Sequence, residues 1–176
     1  MRKIDRIVIH CTATKPGHDV DISDVREWHV KGNGWTDVGY HYVIKLDGTI
    51  QNGRPVRKMG AGVKGHNRDT IHVAYVGGCD NTGQPANTMN TAQMGAIYEI
   101  CTALGRVFGA LELIGHNDLT DEKACPSYNV RETMGELVEW CQTPDQNPPK
   151  SIRNERQPEK VAPRQHCRRC GRRVRM

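Results

Sequence analysis

Two short apolar runs each deliver a histidine. Ile7-Val8-Ile9 leads straight into His10, and Leu113-Ile114-Gly115 leads into His116. Apolar, β-branched runs of this length read as buried strands. Sites in α/β sheets lie beyond strand ends, where side chains from different strands converge. Cys125 follows nine residues after His116, with Pro126 behind it. Two imidazoles and one thiolate are three of the four ligands of tetrahedral zinc. A set of three protein ligands leaves one position for water, which is the layout of a catalytic site. The expectation is one catalytic Zn2+ ion on His10, His116 and Cys125. Taken singly, a histidine after a strand is an ordinary half-buried polar group, and a lone cysteine is a small core residue. Only the combination points to a metal.

The rest of the chain predicts a frame for that site. Residues 5–11 form a first strand. A helix capped by Ser23 runs to about Lys31 and stops at Gly32-Asn33-Gly34. Residues 40–45 form a second strand, and Asp47-Gly48 suggests a hairpin with a type I′ turn. Residues 53–70 have no period and read as a long loop, a kind of segment that is usually functional. Residues 71–76 form a third main strand. Residues 91–108 form the strongest helix, with Met94, Ile97, Tyr98, Cys101, Leu104 and Val107 at three- and four-residue intervals. After the strand at 111–114, Asn129 and Glu132 resemble a capping box for a last helix ending near Trp140. This order describes an α/β domain, a mixed central β-sheet flanked by helices, over residues 1–142.

Composition bounds the remainder. No apolar run reaches the roughly 18–20 residues of a membrane helix. The N-terminus lacks the apolar segment of a signal peptide, so synthesis in the cytoplasm is expected. Seven scattered cysteines do not look like a disulfide framework. Residues 143–176 hold ten Lys/Arg against three Asp/Glu, while residues 1–142 hold fifteen against seventeen. The basic character therefore belongs to a Pro-rich tail, read as disordered. Its His166-Cys167-Arg168-Arg169-Cys170 is half of a zinc knuckle, and its arginines suit an anionic surface such as nucleic acid, wall polymer or lipid headgroup.

Several stretches together resemble a known family. They are His10-Cys11-Thr12-Ala13-Thr14-Lys15-Pro16, Trp35-Thr36-Asp37-Val38-Gly39-Tyr40-His41-Tyr42, Lys45-Leu46-Asp47-Gly48-Thr49, Val76-Gly77-Gly78, Thr91-Ala92-Gln93-Met94 and Lys123-Ala124-Cys125-Pro126-Ser127. In this order they resemble the zinc-dependent N-acetylmuramoyl-L-alanine amidases of the type-2 amidase and peptidoglycan-recognition fold. Within that group the likeness is to the small bacteriophage lysozymes of T7 type. The resemblance covers about residues 4–140. It implies hydrolysis of the amide between N-acetylmuramic acid and L-alanine in peptidoglycan, in endolysin-like wall lysis. It implies His10, His116 and Cys125 as zinc ligands, Tyr40 as the tyrosine that helps hold the attacking water, and Lys123 as the cation near the scissile carbonyl.

The same resemblance implies that the wall is reached after release through a membrane-permeabilising partner. That group also includes a binder of its phage RNA polymerase, a partner to which no residue here points. The chain is read as a monomer. Two departures stand out. The family's Gly-x-His segment corresponds to Met59-Gly60-Ala61-Gly62, which has no histidine, and His72 stands where the family usually has glycine. His66 and Asn67 are carried as substrate contacts. Asp118 orients a ligand or caps a turn. Rival readings are a recognition module that binds muropeptide without cutting it, which intact Cys125 argues against, and a cysteine hydrolase with Cys125 as nucleophile and His116 as base. For the tail alone, a nucleic-acid-binding arm is a further reading.

Overall fold

Alternation along the first strand decides how the sheet presents its two faces. The structure, a computed structural model, describes residues 2–144 and 147–149. Five strands, β1 (Arg6–Cys11), β2 (Tyr42–Ile44), β3 (Ile50–Asn52), β4 (Thr70–Tyr75) and β5 (Glu112–Gly115), pair in the order β3-β2-β4-β1-β5. Only β3 is antiparallel; β1 lies parallel between β4 and β5. The sheet is thus mixed and the fold α/β, as the element order predicts.

Ile7, Ile9 and Cys11 of β1 and Ile71, Val73 and Tyr75 of β4 enter one main core. Because strand side chains alternate, Val8, His10, His72 and Ala74 project from the other face. The main core is closed by two helices, α2 (Thr91–Phe108) and α4 (Gly135–Gln142), through Ile97, Cys101, Leu104, Leu137 and Trp140. Full burial of each such aliphatic side chain stabilises the fold by roughly 1.5–3 kcal/mol. Asn90 and Gln93 cap α2 reciprocally, and Gln93 Nε2 also donates to the Val76 carbonyl at 2.8 Å. That bond ties the helix to the end of the central sheet. A smaller cluster of Val20, Val25, Val38, Val43 and Val76 covers part of the opposite face.

The structure departs from the sequence expectations at four places. The cap of α1 (Ile22–Glu27) is Asp21, which accepts from the Ser23 and Asp24 amides, rather than Ser23. Beyond Glu27 the segment widens into a π-helical turn over Trp28–Gly32. The Asp47-Gly48 hairpin is a three-residue loop, not a two-residue type I′ turn. Gly48 alone takes positive φ, at 83°, and its N–H returns to the Lys45 carbonyl. The last helical segment is two pieces, α3 (Val130–Thr133) and α4, broken where buried Met134 leaves helical geometry ahead of Gly135. Glycine is a poor helix former, which favours the break there.

No helix of the described residues is long and apolar enough to cross a membrane. Residues 150–176, with the tail's His166, Cys167 and Cys170, lie outside the described residues.

Candidate metal centre

The three residues singled out by type and spacing meet at one end of the parallel sheet. His10 is the penultimate residue of β1. His116 opens a 3-10 turn directly after β5, the strand next to β1. Their rings lie 4.9 Å apart at 66°. Cys125 arrives on the loop that follows, and its Sγ is 3.7 Å from His10 Nδ1. The ligand atoms of His10, His116 and Cys125 all lie within 4.8 Å of one another. Two imidazole nitrogens and one sulfur at this spacing suit zinc, and a set of three leaves room for a further ligand.

The Cys125 loop is tied down on several sides. The Cys11 amide donates to Cys125 Sγ at 3.2 Å, and the Asn117 amide to the Cys125 carbonyl at 2.7 Å. Tyr75 Oη donates to the Pro126 carbonyl at 2.8 Å, and Ser127 Oγ to the Gly78 carbonyl at 2.7 Å. Gly78 is required here, since a Cβ on it would lie 2.4 Å from Cys11 Sγ. Asp118 caps the turn through the Gly115 amide at 2.7 Å, which settles it as a cap.

Electrostatics keep the imidazoles neutral. Burial, with the nearby His72 and His116, holds His10 well below the usual histidine range. Burial also lowers His116, and the charge of Lys123 lowers it further. Neutral imidazole is the metal-binding form. The hydrogen-bonded Cys11 thiol and burial push the Cys125 thiol up. A coordinated cation reverses that and deprotonates a thiol outright.

Of the other expected residues, Tyr40 and Lys123 lie beside this centre, while His66 and Asn67 lie on the long loop. Tyr40 packs its ring 5.0 Å from His10, tilted by 38°, and 5.1 Å from His29, edge-on at 68°, and burial raises its phenol. Lys123 is exposed two residues before Cys125, close enough to bear on His116. His66 is exposed on the long loop. Asn67 turns its side chain inward, where Oδ1 accepts from the Gly62 and Val63 amides at 2.9 and 3.0 Å.

Sequence reasoning passed over most of the residues that hold the site. Arg54 donates to the carbonyls of Val38 and Met59, both at 2.8 Å, joining the Tyr40 segment to the long loop. Arg2 donates to the carbonyls of Val56, Arg68 and Thr70, each at 2.8 Å, and closes the loop at its base. His41 and His72 form a stacked pair 5.7 Å apart behind His10. The two departures from the family pattern prove to be a single contact. A Cβ on Gly60 would lie 2.5 Å from His72 Cδ2, and one on Gly62 would lie 2.4 Å from His72 Nδ1. The space above that glycine stretch is filled by the ring of His72.

Known proteins are similar to this chain. A family profile for N-acetylmuramoyl-L-alanine amidase matches residues 1–128. The endolysin of Klebsiella phage KP32 is 38% identical over 130 residues, covering 74% of this chain and 85% of its own. The endolysin of Escherichia phage T7 is 39% identical over 127 residues, covering 72% of this chain and 83% of its own. Among solved structures, the Ph2119 endolysin from the Thermus scotoductus MAT2119 bacteriophage Ph2119 superposes with a TM-score of 0.65 at 27% identity, covering 78% of this chain and 86% of its own.

Proposed function

The chain belongs to the N-acetylmuramoyl-L-alanine amidase family, and from that premise we propose that His10, His116 and Cys125 hold one catalytic zinc ion. The reaction is hydrolysis of the amide between N-acetylmuramic acid and L-alanine in peptidoglycan, the wall-lysing activity of a phage endolysin. The observation that carries the zinc assignment is the convergence of two imidazoles, at the ends of adjacent strands, and one loop sulfur within 4.8 Å.

Zinc, when bound, supplies a Lewis acid for the amide carbonyl and for water. The chain's own groups do the rest. Tyr40, packed on His10, brings a phenol that orients the attacking water by hydrogen bonding. Attack on the carbonyl carbon places negative charge on its oxygen. The Lys123 ammonium, two residues from Cys125, stabilises that charge. Collapse breaks the C–N bond, and the amine of L-alanine leaves with a proton given up by the attacking water. Packing on the rings of His10 and His29 holds Tyr40 in place. On the rim, exposed His66 of the long loop is a group available to the stem peptide, while Asn67 shapes that loop. Access to the wall requires a partner that permeabilises the membrane.

Mass spectrometry of material released from purified peptidoglycan tests the reading. Free stem peptides beginning with L-alanine, with glycan strands intact, are expected, and a chelator abolishes their release. Release that resists chelation but stops on thiol alkylation would instead favour Cys125 as a nucleophile.

A further inference from the structure

His10 has two ring nitrogens, and the structure gives each a separate neighbour. Nδ1 faces Cys125 Sγ at 3.7 Å, and Nε2 lies 3.0 Å from Nδ1 of His72. Both histidines are fully buried, on the face of the sheet away from α2 and α4. In the register of β1 and β4, Val8 pairs with His72 and His10 with Ala74, so the two rings are diagonal neighbours.

We propose that His72 is the positioning residue of the metal centre: its Nδ1 accepts the Nε2–H of His10, which leaves His10 Nδ1 as the nitrogen presented to the metal. The proposal rests on the zinc reading above and extends it to a residue that touches neither metal nor substrate. A neutral imidazole carries one proton. Whichever nitrogen of His10 binds a cation, the other must carry that proton and needs an acceptor in this dry interior. Nδ1 of His72 is the atom within reach.

His72 is itself held from every side, so it is a rigid acceptor. Its amide donates to His41 Nδ1 at 2.9 Å, and its carbonyl accepts from the His41 amide at 2.9 Å. Nδ1 of His41 is therefore unprotonated, and its Nε2–H reaches the Lys58 carbonyl at 3.1 Å. The His41 ring stacks on His72 at 16°. Gly60 and Gly62 press on His72 with no room for a Cβ at either position. Accepting at Nδ1 puts the proton of neutral His72 on Nε2, a buried nitrogen with no hydrogen-bond partner. The site tolerates that unpaired group at a cost in stability. Such a cost at a residue with no other polar task fits a role in presenting His10.

The test uses the full chain with Cys167→Ser and Cys170→Ser throughout, so that the tail offers no thiols to zinc. Zinc affinity is measured by competition with a chromophoric chelator in the parent, His72→Leu and His72→Asn. The expected result is roughly 10–100-fold weaker binding in His72→Leu, the range for removing a partner behind a metal-bound histidine. His72→Asn, which keeps a carbonyl acceptor, recovers most of that loss. A merely structural role would lower the melting temperature of His72→Leu but leave zinc affinity within about twofold of the parent, and that result overturns the proposal. If His72→Leu does not fold, ¹⁵N imidazole spectra of the metal-free parent decide. His10 protonated on Nε2, with Nδ1 of His72 unprotonated, upholds the proposal, and the reverse tautomers overturn it. A parent that binds no zinc at all would fell the zinc reading itself, an outcome distinct from the other two.

Discussion

Cys125 Sγ and His10 Nδ1 lie 3.7 Å apart across 115 positions of sequence. The contact exists because the sheet end and a tethered loop meet there, with Cys11 donating its amide to the same sulfur. Cys125→Ser replaces a soft ligand by a hydroxyl that stays protonated at neutral pH. Zinc affinity is expected to fall by more than about 100-fold, beyond the cost of losing a supporting partner. Peptide release falls by at least as much. Far-UV circular dichroism is unchanged, since the loop keeps its other bonds. Chelator competition and product analysis on the same sample check both.

Tyr40 and Lys123 act on the reaction rather than on the metal. Tyr40→Phe keeps the ring against His10 and removes only the hydroxyl. Lys123→Ala removes an exposed charge. Each is expected to lower kcat by roughly 100-fold, the scale of losing one positioned proton-bonding or oxyanion-stabilising group. Zinc affinity stays near the parent value in Tyr40→Phe. A change confined to KM in either variant would contradict the assigned role.

Acid stability follows from His41. Its ring faces the guanidinium of Arg2 at 3.2 Å, the Lys58 carbonyl, the stacked His72 and, farther off, Arg54. Burial, aided by Arg2 and Arg54 and opposed by the bond to Lys58, holds its pKa down to about 4. In the unfolded chain a histidine titrates near ~6.5. Between these values the unfolded state binds more protons, so stability rises with pH across the window and is lost as pH falls through it. His41 contributes about 3 kcal/mol at most, fully present above pH ~6.5. Melting temperature is expected to be flat above that point and to fall steadily toward about pH 4, with a shallower slope in His41→Gln.

Much of the site was legible because it depends on strand ends. Apolar runs that finish in His10 and His116 place those residues whatever the loops do, and Cys125 follows from ligand chemistry. The long helix was legible, since the apolar period over residues 91–108 matches the observed Thr91–Phe108. The supporting shell was not. His72 stood out as an unusual residue, but its partner depends on the β1–β4 register and on a loop folding its glycines over the ring. Neither is a local property of sequence. Asp21 was passed over as a cap because Ser23 competes for the same reading two residues later. Asn67 was carried as a substrate contact because nothing local shows its carbonyl turned toward Gly62 and Val63.

Asn67 now makes a separable prediction. Asn67→Ala leaves the Gly62 amide and the amide of buried Val63 without their acceptor. Loss of such a partner costs roughly 1–3 kcal/mol. A fall in melting temperature is expected in the absence of substrate. A variant with unchanged melting temperature and a raised KM would return Asn67 to substrate contact.

Gly62 makes the most demanding prediction, because it separates space from hydrogen bonding. A methyl group there would lie 2.4 Å from His72 Nδ1 and 2.6 Å from its Cγ, so the ring must move. His72 cannot retreat far, with His41 stacked against it and both of its backbone groups bonded. Overpacking of this kind costs about 1–3 kcal/mol. Gly62→Ala is therefore expected to melt lower than the parent. It is also expected to bind zinc more weakly, because the displaced ring no longer meets His10 Nε2. Adding His72→Asn to Gly62→Ala relieves the clash with a smaller acceptor, and melting temperature should rise relative to Gly62→Ala alone. Calorimetry of the parent and the two variants checks the order, and a double variant less stable than Gly62→Ala would show that the crowding lies elsewhere in the loop.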